Sequence, residues 1–283
     1  MRFGLSVATA ALVLVSGAAL AGVIVTSTHT DIASQQASPA TIYVESDRLK
    51  VVMPDTTVIF RSDQNKAWVI TPEKRTYMEF TAETIRVFGG QIAGAQALFN
   101  AAQAQLQAQL ALLPPEQRAR VEAQLGGLGL GGPASGGPPG GSGRGAPQVI
   151  YVKVGQGKTV GRWRCDQYVK SIGGQKEEDV CIAPIAAAGL MAADFRVLES
   201  FASFIAPVSS SPLIPHYDYM NWNDMNKAIG FQGVPLDTTM YSGGRPSTQE
   251  TVQKIEHASI PATTFDLPPG LTKQDGPPAL TLR

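Results

Sequence analysis

The stretch TTVIFRSDQNKAWVITPEKRTYMEF, residues 56–80, decides how this chain is read. It divides into three short strands separated by two polar turns. Side chains alternate along a strand, so Val58, Phe60, Trp68, Ile70, Met78 and Phe80 can share one face. That requires the first turn to centre on Gln64 and the second on Glu73. Phe60 then lies opposite Trp68, Trp68 opposite Met78 and Ile70 opposite Thr76, and a slip of one residue would scatter the set. The outcome is a broad apolar face that another element must cover.

Upstream, residues 23–28 are β-branched and read as a first strand, and the polar residues 31–39 read as a loop. Ile42 to Val44 turns through Glu45 to Asp47 into Leu49, Val51 and Met53. Six strands with short connections in the first eighty residues favour an antiparallel sheet over βαβ units. Downstream the period changes to three and four: Ile85, Phe88, Ile92, Ala95, Phe99, Ala102, Leu106, Leu110 and Leu113 form one helical stripe. Thr81 is the expected N-cap, with Glu83 in the first turn. Gly89-Gly90 is a weak point. Pro114-Pro115 breaks the helix, and residues 116–125 restart it. This helical insertion, residues 82–125, is the expected cover for the meander.

Residues 126–147 hold eleven glycines and four prolines. Such a segment buries too little apolar surface to offset its ordering entropy and reads as a flexible linker. Strand character resumes at 149–154. Residues 185–206 read as one helix, and 234–241 with 248–257 as a strand pair around Gly243-Gly244. The tail from Pro268 reads as frayed, with residues 274–283 disordered.

The two cysteines, Cys165 and Cys181, flank Gly173-Gly174 symmetrically. A hairpin with a three- or five-residue loop would set them directly opposite each other as a disulfide, the expectation for an exported protein. Export is indicated by Met1-Arg2, an uncharged run to Leu20, and the A-x-A pattern Ala19-Leu20-Ala21, so residues 1–21 read as a cleavable signal peptide. An uncleaved N-terminal membrane anchor is the alternative. The 283 residues carry 23 basic and 23 acidic side chains with 43% hydrophobic content. That balance suits a globular domain and argues against nucleic-acid binding.

Three segments carry a family resemblance: DQNKAWVITPEKRTYMEF from Asp63, GKTVGRWRCDQYV from Gly157 and IPATTFDLPPGL from Ile260. They resemble the exported bacterial family called domain of unknown function 4412, itself similar to the lipoprotein carriers LolA and LolB and the envelope-stress regulator RseB. The resemblance implies one α+β domain over residues 22–273. Its sheet would be a curved, open antiparallel half-barrel with helices covering the concave face. It also implies a lipid-like or acylated ligand, by analogy of fold alone.

Motifs for chemistry are weak. The Gly155–Thr159 segment lacks the earlier glycine of a phosphate loop, since Val152 stands there, and Val160 breaks a dinucleotide fingerprint. Ser142 lacks the context of a nucleophile elbow. His29, His216 and His257 have no zinc spacing, and Asp63 and Asp166 have no paired carboxylate. Tyr217, Tyr219, Trp222 and Phe231 form either packing against the sheet or a mouth over an apolar cleft. The leading expectation is a periplasmic protein that binds a hydrophobic or amphipathic ligand through Phe60, Trp68, Met78, Phe80, Phe88 and Ile92, with no cofactor or metal. A regulatory or scaffold module binding an envelope protein is the alternative, and a hydrolase the weakest. The residues leave oligomeric state open.

Overall fold

A computed structural model describes residues 22–118, 120–121, 149–209 and 222–274. An N-terminal meander contains β1 (Gly22–Asp31), β2 (Gln36–Val44), β3 (Arg48–Val52), β4 (Thr57–Arg61), β5 (Lys66–Thr71) and β6 (Thr76–Thr81). Helix α1 (Ala82–Ala111) follows, then β7 (Val149–Val160), β8 (Trp163–Ile172) and β9 (Gln175–Pro184). Helices α2 (Arg196–Ser209) and α3 (Trp222–Ile229) precede β10 (Gly233–Ser242), β11 (Arg245–Ala258) and the short β12 (Thr272–Lys273). The described strands form one curved sheet in the order β12-β6-β5-β4-β3-β2-β1-β11-β10-β9-β8-β7. Every neighbouring pair is antiparallel except β12 with β6. The sheet is not closed, because β12 and β7 lie at its two ends. The expected α+β class and the antiparallel, open sheet are therefore seen.

The chain's two halves meet where β1 pairs with β11 along its full length. The residues read as a loop at 31–39 are mostly strand: Asp31 pairs with Gln36, leaving only 32–35 in the turn. Gln35, which closes that turn, has φ of 56°. The same solution recurs twice. Arg61 pairs with Lys66 around a turn that Asn65 closes at φ 54°, and Thr71 pairs with Thr76 around one that Arg75 closes at φ 52°. Four-residue loops ending in a left-handed residue are a common hairpin closure.

That loop length corrects the register expected for residues 56–80. An even loop has its centre between two residues, so Ile59 faces Trp68 and Trp68 faces Glu79, while Phe60 faces Ala67 and Ile70 faces Tyr77. One step moves a side chain to the opposite face. Val58, Phe60, Ala67, Val69, Met78 and Phe80 consequently share the inner face, which carries the helices. Trp68 and Ile70 join Ile59 on the outer face, under Ile260 and Phe265. Trp68 Nε1 donates to Glu79 Oε2 at 3.0 Å, so its polar tip is satisfied by its own cross-strand neighbour. The segment that covers Trp68 ends in β12, where Lys273 Nζ bonds Glu79 Oε1 at 3.0 Å. The tail is thus ordered through this strand rather than frayed from Pro268.

Thr81 caps α1 as expected: its Oγ1 accepts from the Thr84 N–H at 3.2 Å, while Thr84 Oγ1 accepts from the Thr81 N–H at 2.7 Å. At the other end, the Arg118 guanidinium donates to the Leu110 and Ala111 carbonyls at 3.0 and 2.9 Å. The single helix expected over 185–206 is interrupted. Two 3-10 turns, Ile185–Ala188 and Ala192–Phe195, precede α2, and Gly189 at φ 77° ends the first. The flexible segment expected at 126–147, the N-terminal signal and residues 275–283 lie outside the described residues.

Cys165 and Cys181 form a disulfide with their Cα atoms 5.4 Å apart. The hairpin turn is shorter than expected: Ile172 pairs with Gln175, leaving Gly173 and Gly174, both at positive φ, as a two-residue loop. A register shift at Lys170/Ser171 then sets Cys181 opposite Gln167 rather than Cys165. The bridge is diagonal, and Cys165 lies just beyond the last ladder pair, Asp166 with Ile182.

Candidate functional site

Of the six residues expected to line a ligand site, Phe60, Phe80, Phe88 and Ile92 come together in one packed cluster, and Trp68 belongs to another. Trp68 is on the far side of the sheet. Phe60 is on the inner face but only 1% exposed, with its ring 5.1 Å from Phe201 and 5.2 Å from Phe204 of α2. Ile92 is buried in the same cluster, and Phe80 and Phe88 pack against it half-buried. Met78 is half-buried at the edge of the meander. The space between meander and helices is filled around Phe60, as in an ordinary protein interior.

The cover also differs from the expected one. Helix α2 supplies Val197, Phe201, Phe204, Ile205 and Val208 to the buried cluster, while among the described residues α1 supplies Ile85 and Ile92. Gly89 marks where the helices touch: a Cβ there would lie 2.5 Å from the Pro207 carbonyl oxygen. Farther along α1, Leu98 is 75% exposed, and Leu112, which follows the helix, is 86% exposed. Among the described residues of the 82–125 insertion beyond Ile92, none is buried, so this part adds little to the cover.

A cavity of about 150 Å³ opens elsewhere, between the middle of the sheet and the helices. Val25, Ile42 and Val51 form one wall and Val180, Leu236 and Val252 another, with Leu198 of α2 and Met225 of α3 closing it. The strands are brought together by the β1–β11 pairing, a contact between residues more than two hundred positions apart. Short-range periodicity carries no trace of it. Two carboxylates reach this space, Glu178 and Glu250. Both are engaged: Glu250 Oε1 accepts from Ser27 Oγ at 2.7 Å, and Glu178 Oε1 meets Lys170 Nζ at 2.6 Å.

Lys170 and Glu178 are cross-strand partners in the β8–β9 hairpin, with side chains only 1% and 7% exposed. Desolvating two charges is costly unless they are paired and hydrogen-bonded. The spacing of a Lys and a Glu about Gly173-Gly174 was the available sequence signal for this pair. The walls are apolar and the nearby acids are committed, so the cavity suits an uncharged apolar group. An anionic head would meet two carboxylates.

A wider surface hollow of about 480 Å³ lies over Trp163, between Gly189 and β11. Its charges are mostly taken up locally. Lys254 pairs with Glu256 at 2.6 Å, and Arg162 stacks over the Trp163 ring at 5.1 Å while donating to the Ile255 carbonyl. His257 Nε2 is 3.3 Å from Asp194 Oδ2, which also accepts from the Met191 N–H at 2.8 Å. That makes Asp194 an anchor for the turn before α2. Among the described residues no group of three or more His, Cys, Asp or Glu side chains could hold a metal, and no helix is long and apolar enough to cross a membrane. Of the aromatic cluster, Phe231 packs beside Met225 and Tyr168, while Tyr217, Tyr219 and the Trp222 side chain lie outside the described residues.

The Asp237 carboxylate of β10 is buried and accepts from three side chains. Burial opposes its charge, but Lys158 Nζ at 2.6 Å, Thr251 Oγ1 at 2.7 Å and Gln249 Nε2 at 2.9 Å hold its pKa below the ordinary value. These bonds tie β7, β10 and β11 together.

No family model and no curated protein matches the chain. Among solved structures, an uncharacterized conserved protein from Thermus thermophilus aligns over 90% of this chain and 91% of its own, at 6% identity and TM-score 0.41. PNGF-II aligns over 90% of this chain but 31% of its own length, at 7% identity and TM-score 0.35. Likenesses at this level carry no argument about fold or function.

Proposed function

We propose that the protein binds a hydrophobic or amphipathic ligand by taking an uncharged apolar part of it into the cavity beneath α2 and α3. The observation that supports this is the cavity itself: about 150 Å³, walled by aliphatic side chains. A mainly apolar cavity of that size has room for a small apolar group of roughly the bulk of benzene. It is smaller than the several hundred cubic ångströms of a site that engulfs a drug-sized molecule. A ring or the tip of an acyl chain fits; a whole acyl chain needs α2 to move. The resemblance to the LolA-like carriers, and residence in the periplasm, belong to the same proposal. The Cys165–Cys181 disulfide is compatible with export.

The test uses a fluorescent acyl probe and an aromatic series starting from benzene. Leu198→Trp fills the cavity and is expected to abolish binding. Trp68→Phe, on the opposite face, is expected to leave it unchanged. Equal binding by the wild type and Leu198→Trp, or none by either, would sink the proposal. A second reading, a module that binds an envelope protein, is favoured by the exposed leucines of α1. Capture of one stoichiometric partner from envelope extract, lost on Leu98→Glu/Leu112→Glu, would support it.

A further inference from the structure

We infer, on the reading that the cavity beneath α2 and α3 is the binding site, that the polar part of the ligand is an ammonium group held by the Glu250 carboxylate. The cavity has a direction along the strands. Residues two apart share a face, so on the inner face β1 runs Val25, Ser27, His29 and β10 runs Leu236, Thr238, Met240. The ladder aligns these changes across the sheet, because cross-strand partners lie side by side on one face. Val25 faces Ile42 and Ile255, and Ser27 faces Ala40 and Val252. His29 faces Ser38 and Glu250, and Glu250 in turn faces Thr238. Neighbouring strands thus pass from aliphatic to polar in the same direction. The cavity lining includes both kinds: Val25, Ile42 and Leu236 toward one end, Thr238 and Glu250 toward the other.

Glu250 is engaged through one oxygen only. Its Oε1 accepts from the buried Ser27 hydroxyl at 2.7 Å. Its Oε2 has no hydrogen-bond or ion-pair partner among the described residues. A carboxylate offers roughly four acceptor positions on its two oxygens, so a single hydroxyl leaves most of that capacity unused. The other acid of the lining differs, because Lys170 Nζ lies 2.6 Å from Glu178 and meets its charge. No lysine or arginine is among the described residues that line the cavity. A half-buried carboxylate beside aliphatic walls, with no cation of its own, favours a ligand that brings the cation with it. A carboxylate head would be repelled there, and a hydroxyl head would make one weaker bond. The volume of about 150 Å³ leaves room for one ring or a short alkyl chain beside that head. The ligand class is therefore a small amphipathic amine, with benzylamine as its simplest probe.

Isothermal titration calorimetry on the whole chain, with benzylamine, toluene and benzoate, compares three ligands of one shape that differ in the charge of the head. Benzylamine is expected to bind at least about tenfold more tightly than toluene, the usual effect of a charge-assisted hydrogen bond. Benzoate is expected to give no measurable binding. Glu250→Gln removes the charge and keeps an oxygen for the Ser27 hydroxyl. It is expected to erase the difference between benzylamine and toluene, with circular dichroism showing a native fold. The comparison among ligands on the unaltered chain decides the matter even where that variant is unstable. Toluene or benzoate binding as tightly as benzylamine overturns the ammonium assignment and leaves the apolar cavity as a binding site. A folded Glu250→Gln variant with undiminished preference for benzylamine does the same. Binding of none of the three overturns both.

Discussion

Replacing Gly89 and Gly90 by alanine, one at a time, separates helix propensity from helix packing at two adjacent positions of α1. Alanine is favoured over glycine in a helix interior by about 1 kcal/mol. At Gly90 an added Cβ meets no atom within 4 Å, so most of that gain is kept and the variant should be more stable by about 0.5–1 kcal/mol. At Gly89 the same Cβ would sit 2.5 Å from the Pro207 carbonyl oxygen and 3.0 Å from its carbonyl carbon and Cβ. These are α2 atoms near a proline, with no flexible side chain to give way. The helices must separate, and overpacking of this kind costs about 1–3 kcal/mol. After the propensity gain the net change is a loss of up to about 2 kcal/mol, and the two variants differ by about 1–3 kcal/mol. Urea unfolding measures this directly as a shift in midpoint at constant slope. A Gly89→Ala midpoint equal to or above that of Gly90→Ala would refute the close α1–α2 contact.

Other outcomes follow from the buried pairs and the disulfide. Reducing Cys165–Cys181, or replacing both by alanine, should cost about 3 kcal/mol for a loop of this length, read by the same unfolding assay in the presence and absence of reductant. Lys170→Met removes the cation 2.6 Å from a Glu178 carboxylate that is 7% exposed and should cost about 3–5 kcal/mol, while Lys170→Met/Glu178→Leu should recover much of it; a double variant no better than the single would refute the pairing. Asp237 has a folded pKa below its ordinary 3.8. Its contribution is therefore present above the unfolded carboxylate range and lost as pH falls through the folded value. Asp237→Asn should flatten the acid limb of a stability-against-pH profile and leave its shape above neutrality unchanged.

Much of the architecture is legible because it is local. Alternation in residues 42–80 marks the strands, and the switch to steps of three and four at Thr81 marks a helix whose capping residues are in place. Gly243-Gly244 and Gly173-Gly174 announce their hairpins through the positive φ that such turns need. The register of residues 56–80 was within reach at one turn only. Asn65 is a residue that tolerates the left-handed conformation, but Arg75 carries no such signal. The candidate site was harder. Its walls come from β1–β3, β9–β11, α2 and α3, and no periodicity in any one segment reveals which of them meet.

The sequence by itself determined the strands of residues 42–80, the start of α1, the antiparallel class and the cysteine pairing, since each depends on neighbours within a hairpin or a helical turn. Only the tertiary structure decided what covers the face of residues 56–80. It placed Trp68 beneath Phe265 and Phe60 between Phe201 and Phe204. The physical reason is the two-residue period of a strand. One residue more or less in a turn reverses every side chain beyond it, and that choice rests on loop geometry and on burial against partners far away in the chain.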